Sequence, residues 1–207
     1  FMKNIKKLIK IIFLDFDDSF NKFYKKINNK KILITGGTGL IGQYFLVFFY
    51  FSIIRKKPPK KVTVIINKSF PKYLLFLKKN KIFLFKKMKL GYDTLGTEKF
   101  DIIIHAAGYG QPAKFMKNSI DTILINTAAT LDMIKKIKKN GKFLYLSTSE
   151  IYSGNNKNFI NENETGSTTP SHKRAAYIEA KRIGETIVNI YRNKHKINAK
   201  SARICLA

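Results

Sequence analysis

The chain has 207 residues, a formal net charge of +27, a hydrophobic fraction of 44% and a single cysteine, Cys205. A chain of this length has room for one domain of ordinary size or two very small ones, and it buries enough surface to form a core without a disulfide or a metal. The hydrophobic fraction excludes a disordered chain. One cysteine excludes a disulfide scaffold and a cysteine-built zinc site and is typical of a reducing compartment. We therefore predict a cytoplasmic protein with no metal site.

The positive charge raises nucleic acid as a partner, but the composition argues against it. Only five of the 40 basic residues are arginines, whereas nucleic-acid surfaces favour arginine because its planar head forms paired hydrogen bonds to guanine and phosphate. The lysines are spread over almost every segment, alongside many Asn, Ile and Phe residues. All of these have A/T-rich codons, so we interpret much of the charge as coding bias on solvated surfaces.

The sequence predicts neither a targeting signal nor a membrane span. Residues 2–14 resemble a signal peptide only superficially, because Lys10 interrupts the apolar run, acidic residues follow it, and no small-residue cleavage site is present. The most apolar stretch, residues 44–54, is shorter than the roughly 20 residues that a helix needs to cross a bilayer.

A lysine-rich lead, residues 1–30, is predicted to be a short helix outside the main domain, from the amphipathic pattern of residues 5–13. Apolar runs then alternate with helix-like stretches. The predicted strands cover residues 31–35, 62–66, 82–85, 101–105, 143–147 and 199–204. The predicted helices cover residues 40–54, 71–79, 120–139 and 172–194, and a long polar loop covers residues 153–171.

This alternation predicts an α/β fold. Unbroken apolar strands separated by helices are typical of a parallel sheet with helices on both faces. Right-handed crossovers make it a doubly wound, Rossmann-type sheet over residues 31–207, with its ligand at the carboxyl ends of the strands.

A glycine loop, Gly36-Gly37-Thr38-Gly39-Leu40-Ile41-Gly42, joins the first strand to the first helix of this fold. In such a loop the first glycine allows a tight turn, the second lets backbone approach a pyrophosphate, and the third lets helix and strand pack closely. We therefore predict that the loop binds a dinucleotide through Gly36, Gly39, Leu40, Ile41 and Gly42.

The second strand ends without the acidic residue that holds the adenosine ribose of NAD in many such folds. Asn67 and Lys68 follow this strand instead. Asn67 is able to bond the ribose, whereas Lys68 is suited to a 2′-phosphate. These residues leave the choice between NAD and NADP open.

Two further positions point to proton and hydride chemistry. Tyr177 and Lys181 lie four residues apart in a predicted helix and therefore share one face. A nearby ammonium favours the phenolate, so the pair is suited to remove a hydroxyl proton as hydride leaves the same carbon. Thr148, at the carboxyl end of a central strand, is placed to bond the reacting oxygen, and Glu150 offers a second acid or base.

Together these motifs resemble extended short-chain dehydrogenases of the NAD-dependent epimerase/dehydratase family. Thr148-Ser149-Glu150 is similar to the run found in nucleotide-sugar 4,6-dehydratases and UDP-glucuronate decarboxylases. The segment from Arg174 to Glu185 is similar to the R-x-x-Y-x-E-x-K-R-x-x-E pattern of the decarboxylase-like subgroup.

The resemblance implies NAD as cofactor, with NADP not excluded, and further site residues. Ala106, Ala107 and Gly108 resemble the loop beneath the nicotinamide ribose. Asn126 resembles the asparagine that opens a helix and supports the active site. His105 is interpreted as a hydrogen-bonded structural histidine.

The resemblance also implies a lyase or isomerase acting through a 4-keto sugar. Tyr177 takes the proton from the sugar O4 as C4 passes hydride to NAD⁺, while Thr148 orients O4. Lys181 holds the nicotinamide ribose and lowers the pKa of Tyr177, and in a dehydratase Glu150 takes the C5 proton. Epimerase, dehydratase and decarboxylase reactions stay open, as does the nucleotide of the sugar substrate.

Family members carry a C-terminal substrate domain and pair through a helix bundle. We therefore expect a homodimer and an enzyme fragment whose substrate domain is missing. Two other classes compete with this hypothesis. One is a degenerate dinucleotide-binding regulatory or scaffold protein without turnover, and the more remote one is a basic nucleic-acid-binding module.

Overall fold

The central strands are buried on both faces, and the six strands assemble into one parallel sheet. In the computed structural model, which describes residues 20–67 and 70–205, the strand order is β3-β2-β1-β4-β5-β6. The strands are β1 (Lys31–Thr35), β2 (Lys61–Ile66), β3 (Phe83–Lys87), β4 (Phe100–His105), β5 (Ile137–Thr148) and β6 (Asn198–Ile204). The order reverses between β1 and β4, so a crevice opens at the carboxyl ends of those strands.

Helices cover both faces of the sheet, which confirms the predicted doubly wound fold. They are α1 (Asn21–Ile27), α2 (Leu40–Ile54), α3 (Pro112–Lys117), α4 (Ser119–Asn126), α5 (Ala128–Ile134) and α6 (Ala175–Lys194). Two 3-10 helices cover Lys72–Lys79 and Ser149–Tyr152. None of the helices within residues 20–67 and 70–205 is long and apolar enough to cross a bilayer.

Two buried clusters hold the layers together, one on each face of the sheet. Tyr24, Leu46 and Leu77 belong to the cluster that joins α1, α2 and the first 3-10 helix to one face. Met133 and Val188 belong to the cluster that joins α5 and α6 to the other face. Burial of large apolar side chains is the main stabilising contribution to such a layered fold.

The described part of the N-terminal lead does not lie outside the main domain. In α1, Tyr24 is fully buried and Ile27 is buried with it in the same cluster as α2. The Tyr24 ring stacks on Phe48 with ring centroids 5.0 Å apart. The amphipathic pattern of residues 5–13 falls outside the described residues, so the helix predicted there stays a prediction.

The predicted helix 120–139 is wrong at both the middle and the end. The chain breaks this region into α4 and α5 at Thr127, and helix ends at Ile134. Residues 137–139 already belong to β5, which bulges between its pairing with Phe100 and its pairing with Ile102. Asn140 at the bulge has φ +67°, a left-handed conformation that a continuing helix excludes.

Two other helices differ from the predicted ones, one in helix type and one in its first residue. The segment predicted as a helix over residues 71–79 is a 3-10 helix, Lys72–Lys79. The helix predicted over residues 172–194 begins at Ala175, after a turn in which the Ala175 amide donates to the His172 carbonyl over 2.8 Å.

Candidate active site

A cavity of about 780 Å³ lies in the crevice at the carboxyl ends of the strands. Of the residues that the sequence singles out, those on its wall are Gly36, Gly39, Leu40, Ile41, Gly42, Asn67, Ala106, Ala107, Gly108, Thr148, Glu150, Tyr177 and Lys181. The fold therefore brings the predicted dinucleotide loop and the predicted catalytic groups to one cavity. Lys68 falls outside the described residues.

The glycine loop is shaped by close backbone contacts at two of its glycines. Gly36 has φ +69°, and a Cβ built there would lie 2.4 Å from the Ala106 carbonyl oxygen. A Cβ at Gly42 would lie 2.0 Å from the Gly36 carbonyl oxygen, so this position lets α2 pack against the loop. At Gly39 the nearest atom to a Cβ is 3.3 Å away, and this residue lines the cavity at the N-cap of α2.

The start of α2 is suited to an anion. Gly39 caps this helix with extended backbone and no side-chain hydrogen bond. The first amide groups of a helix have no partner within the helix, and the helix dipole places partial positive charge there. With Gly39 leaving the backbone accessible, the loop fits the pyrophosphate of a dinucleotide.

His105, at the end of β4, holds the loop of Ala106, Ala107 and Gly108 in place through Thr35. Its Nδ1 accepts from the Thr35 hydroxyl over 2.7 Å, and its Nε2 donates to the Ile125 carbonyl over 2.9 Å. The Thr35 hydroxyl oxygen in turn accepts from the Ala107 amide over 3.2 Å. Burial lowers the pKa of His105 to about 3, so the ring is neutral, and its interpretation as a structural histidine is confirmed.

Tyr177 stands on α6 beside the end of β5, and its ring is stacked on Phe115. The two ring centroids lie 4.3 Å apart at an interplanar angle of 7°. Burial raises the pKa of Tyr177, while its hydrogen bond with Thr148 and the charge of Arg174 act to lower it. No sequence pattern predicts the role of Phe115, because its contact with Tyr177 depends on how α3 packs against α6.

Lys181 lies one turn further along α6 and is 5% exposed. Its Nζ donates to the Leu146 carbonyl over 2.7 Å and lies 6.0 Å from the centroid of the Tyr177 ring. Burial lowers the pKa of Lys181 to about 7, and the charge of Glu185 acts to raise it. In this structure the pKa of Tyr177 is raised rather than lowered, because burial and the charge of Glu150 outweigh the hydrogen bond with Thr148 and the charge of Arg174.

Glu150 follows Thr148 and is held by an ion pair. Its Oε1 accepts from Arg174 Nη2, and the Thr148 hydroxyl accepts from the Glu150 amide over 3.2 Å. Its other carboxylate oxygen, Oε2, is buried and has no hydrogen-bond partner among the described residues. Arg174 is a site residue to which the sequence assigned no role, although it stands in the same motif as Tyr177.

Asn126 does not reach the wall of the cavity. It ends α4 rather than opening a helix, and it is fully buried. Its Oδ1 accepts from the Tyr145 hydroxyl over 2.8 Å, and its Nδ2 donates to the Thr122 carbonyl over 2.8 Å. The Lys181 Nζ lies 4.9 Å from the Tyr145 ring centroid, so any support from Asn126 reaches the site through Tyr145.

The described residues contain no group of three or more His, Cys, Asp or Glu side chains that could hold a metal ion. The groups gathered at the cavity instead combine a phosphate loop with a buried tyrosine and lysine. A parallel sheet of this strand order, with these two sets of residues at its switch point, is typical of a Rossmann-type dinucleotide-binding domain.

The chain belongs to the NAD dependent epimerase/dehydratase family, whose model matches residues 32–207. UDP-glucuronic acid decarboxylase 1 of Danio rerio is 29% identical over 194 residues, which are 88% of this chain and 43% of that protein. The chain thus spans less than half the length of this relative. The predicted cofactor, NAD, is confirmed as that of the family.

Solved structures show the same fold. An epimerase of Methanothermobacter thermautotrophicus superposes with a TM-score of 0.66 at 19% identity, covering 87% of this chain and 52% of its own. UDP-glucuronic acid 4-epimerase of Bacillus cereus, solved with UDP-glucuronic acid and NAD, gives a TM-score of 0.63 at 21% identity. That match covers 84% of this chain and 55% of the epimerase.

Proposed function

We propose that this chain is the NAD-binding and catalytic part of an enzyme that oxidises a nucleotide sugar at C4, with decarboxylation of UDP-glucuronic acid as the overall reaction. The observation that carries the proposal is the convergence of Thr148, Tyr177 and Lys181 on the cavity that also holds the glycine loop. The choice of decarboxylation is supported by the Danio rerio relative, a UDP-glucuronic acid decarboxylase.

The residues on the cavity wall fit the parts of a dinucleotide. The glycine loop and the start of α2 would hold the phosphates, because Gly39 leaves backbone amides accessible. Asn67 would bond the adenosine ribose, and Ala106 to Gly108 with Lys181 would hold the nicotinamide ribose. NAD⁺, when bound, would accept the hydride of the sugar C4 and, as NADH, would return it to C4 after CO₂ has left, so that the overall reaction is free of net oxidation.

Tyr177 is the proposed base that takes the proton of the sugar O4 hydroxyl. Its phenolate is favoured by the hydrogen bond with Thr148 and by the positive charge of Arg174, which act against the effect of burial on its pKa. Stacking on Phe115 fixes the ring plane, so the hydroxyl oxygen keeps one direction. Thr148 is proposed to orient the same sugar hydroxyl.

Glu150 is the group proposed to deliver a proton to C5. Once C4 is a ketone, the bond from C5 to the C6 carboxylate can break, with its electron pair moving toward the C4 carbonyl as CO₂ leaves. C5 then needs a proton. The unpartnered Oε2 of Glu150 is available to carry one, while Arg174 holds the other carboxylate oxygen.

A homodimer through α4, α5 and α6 is part of the proposal. Four large apolar side chains of these helices are exposed, namely Ile120, Leu131, Ile183 and Ile190. Ile183 and Ile190 lie seven residues apart on α6 and so share one face. A second copy would bury these side chains at the favourable free energy of apolar burial.

Product analysis tests the reaction. The whole protein that carries this chain is incubated with NAD⁺ and UDP-glucuronic acid, and the sugar nucleotide is followed by mass spectrometry with trapping of CO₂. We expect loss of CO₂. An unchanged mass with an altered sugar configuration would replace decarboxylation by epimerisation, and loss of water would replace it by dehydration.

The matched variant Tyr177→Phe removes only the hydroxyl from a ring that is stacked and buried. We expect the variant to bind NAD⁺ and to form no product. Product formation at the wild-type rate would exclude Tyr177 as the base. NAD⁺ binding without turnover by the wild-type protein, on any sugar nucleotide tested, would favour the scaffold alternative.

A further inference from the structure

The adenosine side of the cavity lacks the negative charge that makes a Rossmann site selective for NAD. In NAD-selective folds a carboxylate after the second strand bonds the ribose hydroxyls and repels a 2′-phosphate. Here β2 ends at the half-buried Ile66, and the exposed Asn67 lines the cavity in its place. An amide side chain bonds a hydroxyl through either end but carries no charge.

The neighbouring strand end does not supply the missing carboxylate. Ile66 pairs with Lys87 of β3, and the Met88 amide donates to the Ile66 carbonyl over 3.0 Å. The next two residues, Met88 and Lys89, lie on the cavity wall. The strand end beside Asn67 therefore carries lysines and, in the part of the chain that the structure describes, no carboxylate.

The acidic side chains that do line the cavity, within the described residues, are both paired. Asp121 Oδ1 accepts from the Tyr92 hydroxyl over 2.8 Å and lies 3.4 Å from the Lys89 Nζ. Glu150 is held by Arg174. Neither carboxylate therefore presents an uncompensated charge to the cavity.

We infer that this site does not discriminate against a 2′-phosphate on the adenosine ribose, so that it binds NADP⁺ as well as NAD⁺, with Asn67 as the residue that sets this lack of selectivity. The inference rests on the proposed dinucleotide site and adds the class of cofactor it accepts. A 2′-phosphate there would meet the uncharged amide of Asn67 in place of a carboxylate, so Coulomb repulsion does not oppose its binding.

Direct binding measurements test this without turnover. NAD⁺ and NADP⁺ are titrated separately into the wild-type protein by calorimetry at constant ionic strength, followed by the same titrations with Asn67→Asp. We expect the two wild-type dissociation constants to agree within about threefold. In Asn67→Asp we expect NADP⁺ binding to weaken by about tenfold or more, because the new carboxylate faces the 2′-phosphate, with little change for NAD⁺.

Asn193→Asp is the matched control, since it adds the same charge at an exposed position of α6 that does not line the cavity. It should leave both dissociation constants unchanged. Wild-type selectivity for NAD⁺ of tenfold or more would overturn the inference and leave the proposed function intact, as would equal weakening by both Asp variants. Failure of both dinucleotides to bind would overturn the proposed function as well.

Discussion

Burial acts in opposite directions on the two ionisable side chains at the centre of the site. It raises the pKa of Tyr177 and lowers that of Lys181 to about 7, because in each case burial disfavours the charged form. The proposed chemistry needs a phenolate and benefits from an ammonium. The two charged forms stabilise one another, so we expect them to appear together when the cavity is filled and water is excluded.

The cost of burying Lys181 predicts a pH dependence of stability. The pKa of Lys181 in the folded protein, about 7, lies below the ordinary value of 10.5. Burial of this lysine therefore lowers the free energy of unfolding by its full amount below pH 7, and this destabilisation disappears as pH rises toward 10.5. In Lys181→Met the cost is absent at every pH. The stability of this variant relative to wild type should therefore be greater at about pH 6 than at about pH 9, measured by denaturant unfolding.

Lys194→Met is the control for this comparison, because it removes an exposed lysine from the end of the same helix. Its stability relative to wild type should be the same at both pH values. If the difference in free energy of unfolding between Lys181→Met and wild type did not change with pH, burial would not disfavour the charged form of Lys181.

In the first turn of α2, Gly42 determines how closely this helix approaches the carbonyl of Gly36 in the glycine loop. The Cβ of Gly42→Ala would lie 2.0 Å from the Gly36 carbonyl oxygen, so backbone must move. We expect the free energy of unfolding to fall by about 2 kcal/mol or more. NAD⁺ binding should also weaken, because the loop that faces the phosphates is displaced.

Gly96→Ala is the matched substitution, since a Cβ at Gly96 meets no atom within 4 Å. Its free energy of unfolding should stay within about 0.5 kcal/mol of wild type. Equal denaturation midpoints for the two variants would show that the close contact at Gly42 relaxes without cost.

Arg203 on β6 connects the long loop over residues 153–171 to α6 through hydrogen bonds and an ion pair. It pairs with Glu185 over 2.9 Å and donates over 2.6 Å to both the Tyr152 hydroxyl and the Glu162 carbonyl. In Arg203→Ala we expect the loop to open and limited proteolysis within it to become several-fold faster.

Arg192→Ala removes an exposed arginine of α6 and serves as the control. Its loop should be cleaved at the wild-type rate. Cleavage of Arg203→Ala at that same rate would mean that the loop is held by other contacts, such as the hydrogen bonds of 2.7 and 2.9 Å from Arg182 to the Ile151 and Gly166 carbonyls.

Local patterns were sufficient to predict the elements that carry the cofactor loop. β1 and α2 have the predicted bounds, because each is a largely apolar segment and the glycine loop separates them. The break in the predicted helix 120–139 was missed because apolar spacing continues through Ile134 and Ile137, while the Asn140 bulge depends on pairing with a distant strand.

The predicted site residues reached the cavity because their positions at strand ends and on one helix face are fixed by local geometry. Asn126 did not, since its side chain is taken by Tyr145, a partner 19 residues away. The sequence was also insufficient to predict that the pKa of Tyr177 is raised in the fold. This rise depends on how deeply the ring is buried and on the contact with Phe115, which only the packed fold determines.

At the scale of the whole molecule, the reversal of strand order between β1 and β4 gathers the functional groups. It leaves a crevice in which residues from the first glycine loop and from α6, more than 130 positions apart, line one cavity. Two separate apolar clusters support the two sides of this crevice. Among the described residues, the lysines that line this cavity are Lys89, Lys114 and Lys181.

The central proposal is that Tyr177 takes the proton of the sugar O4 hydroxyl while the bound dinucleotide accepts the hydride of C4, and formation of NADH tests it most directly. The whole protein that carries this chain is mixed with NAD⁺ and UDP-glucuronic acid, and near-ultraviolet absorbance is followed over a single turnover. We expect a transient rise as NADH forms in the wild-type protein, and none in Tyr177→Phe, which still binds NAD⁺. An equal rise in both proteins would contradict the account.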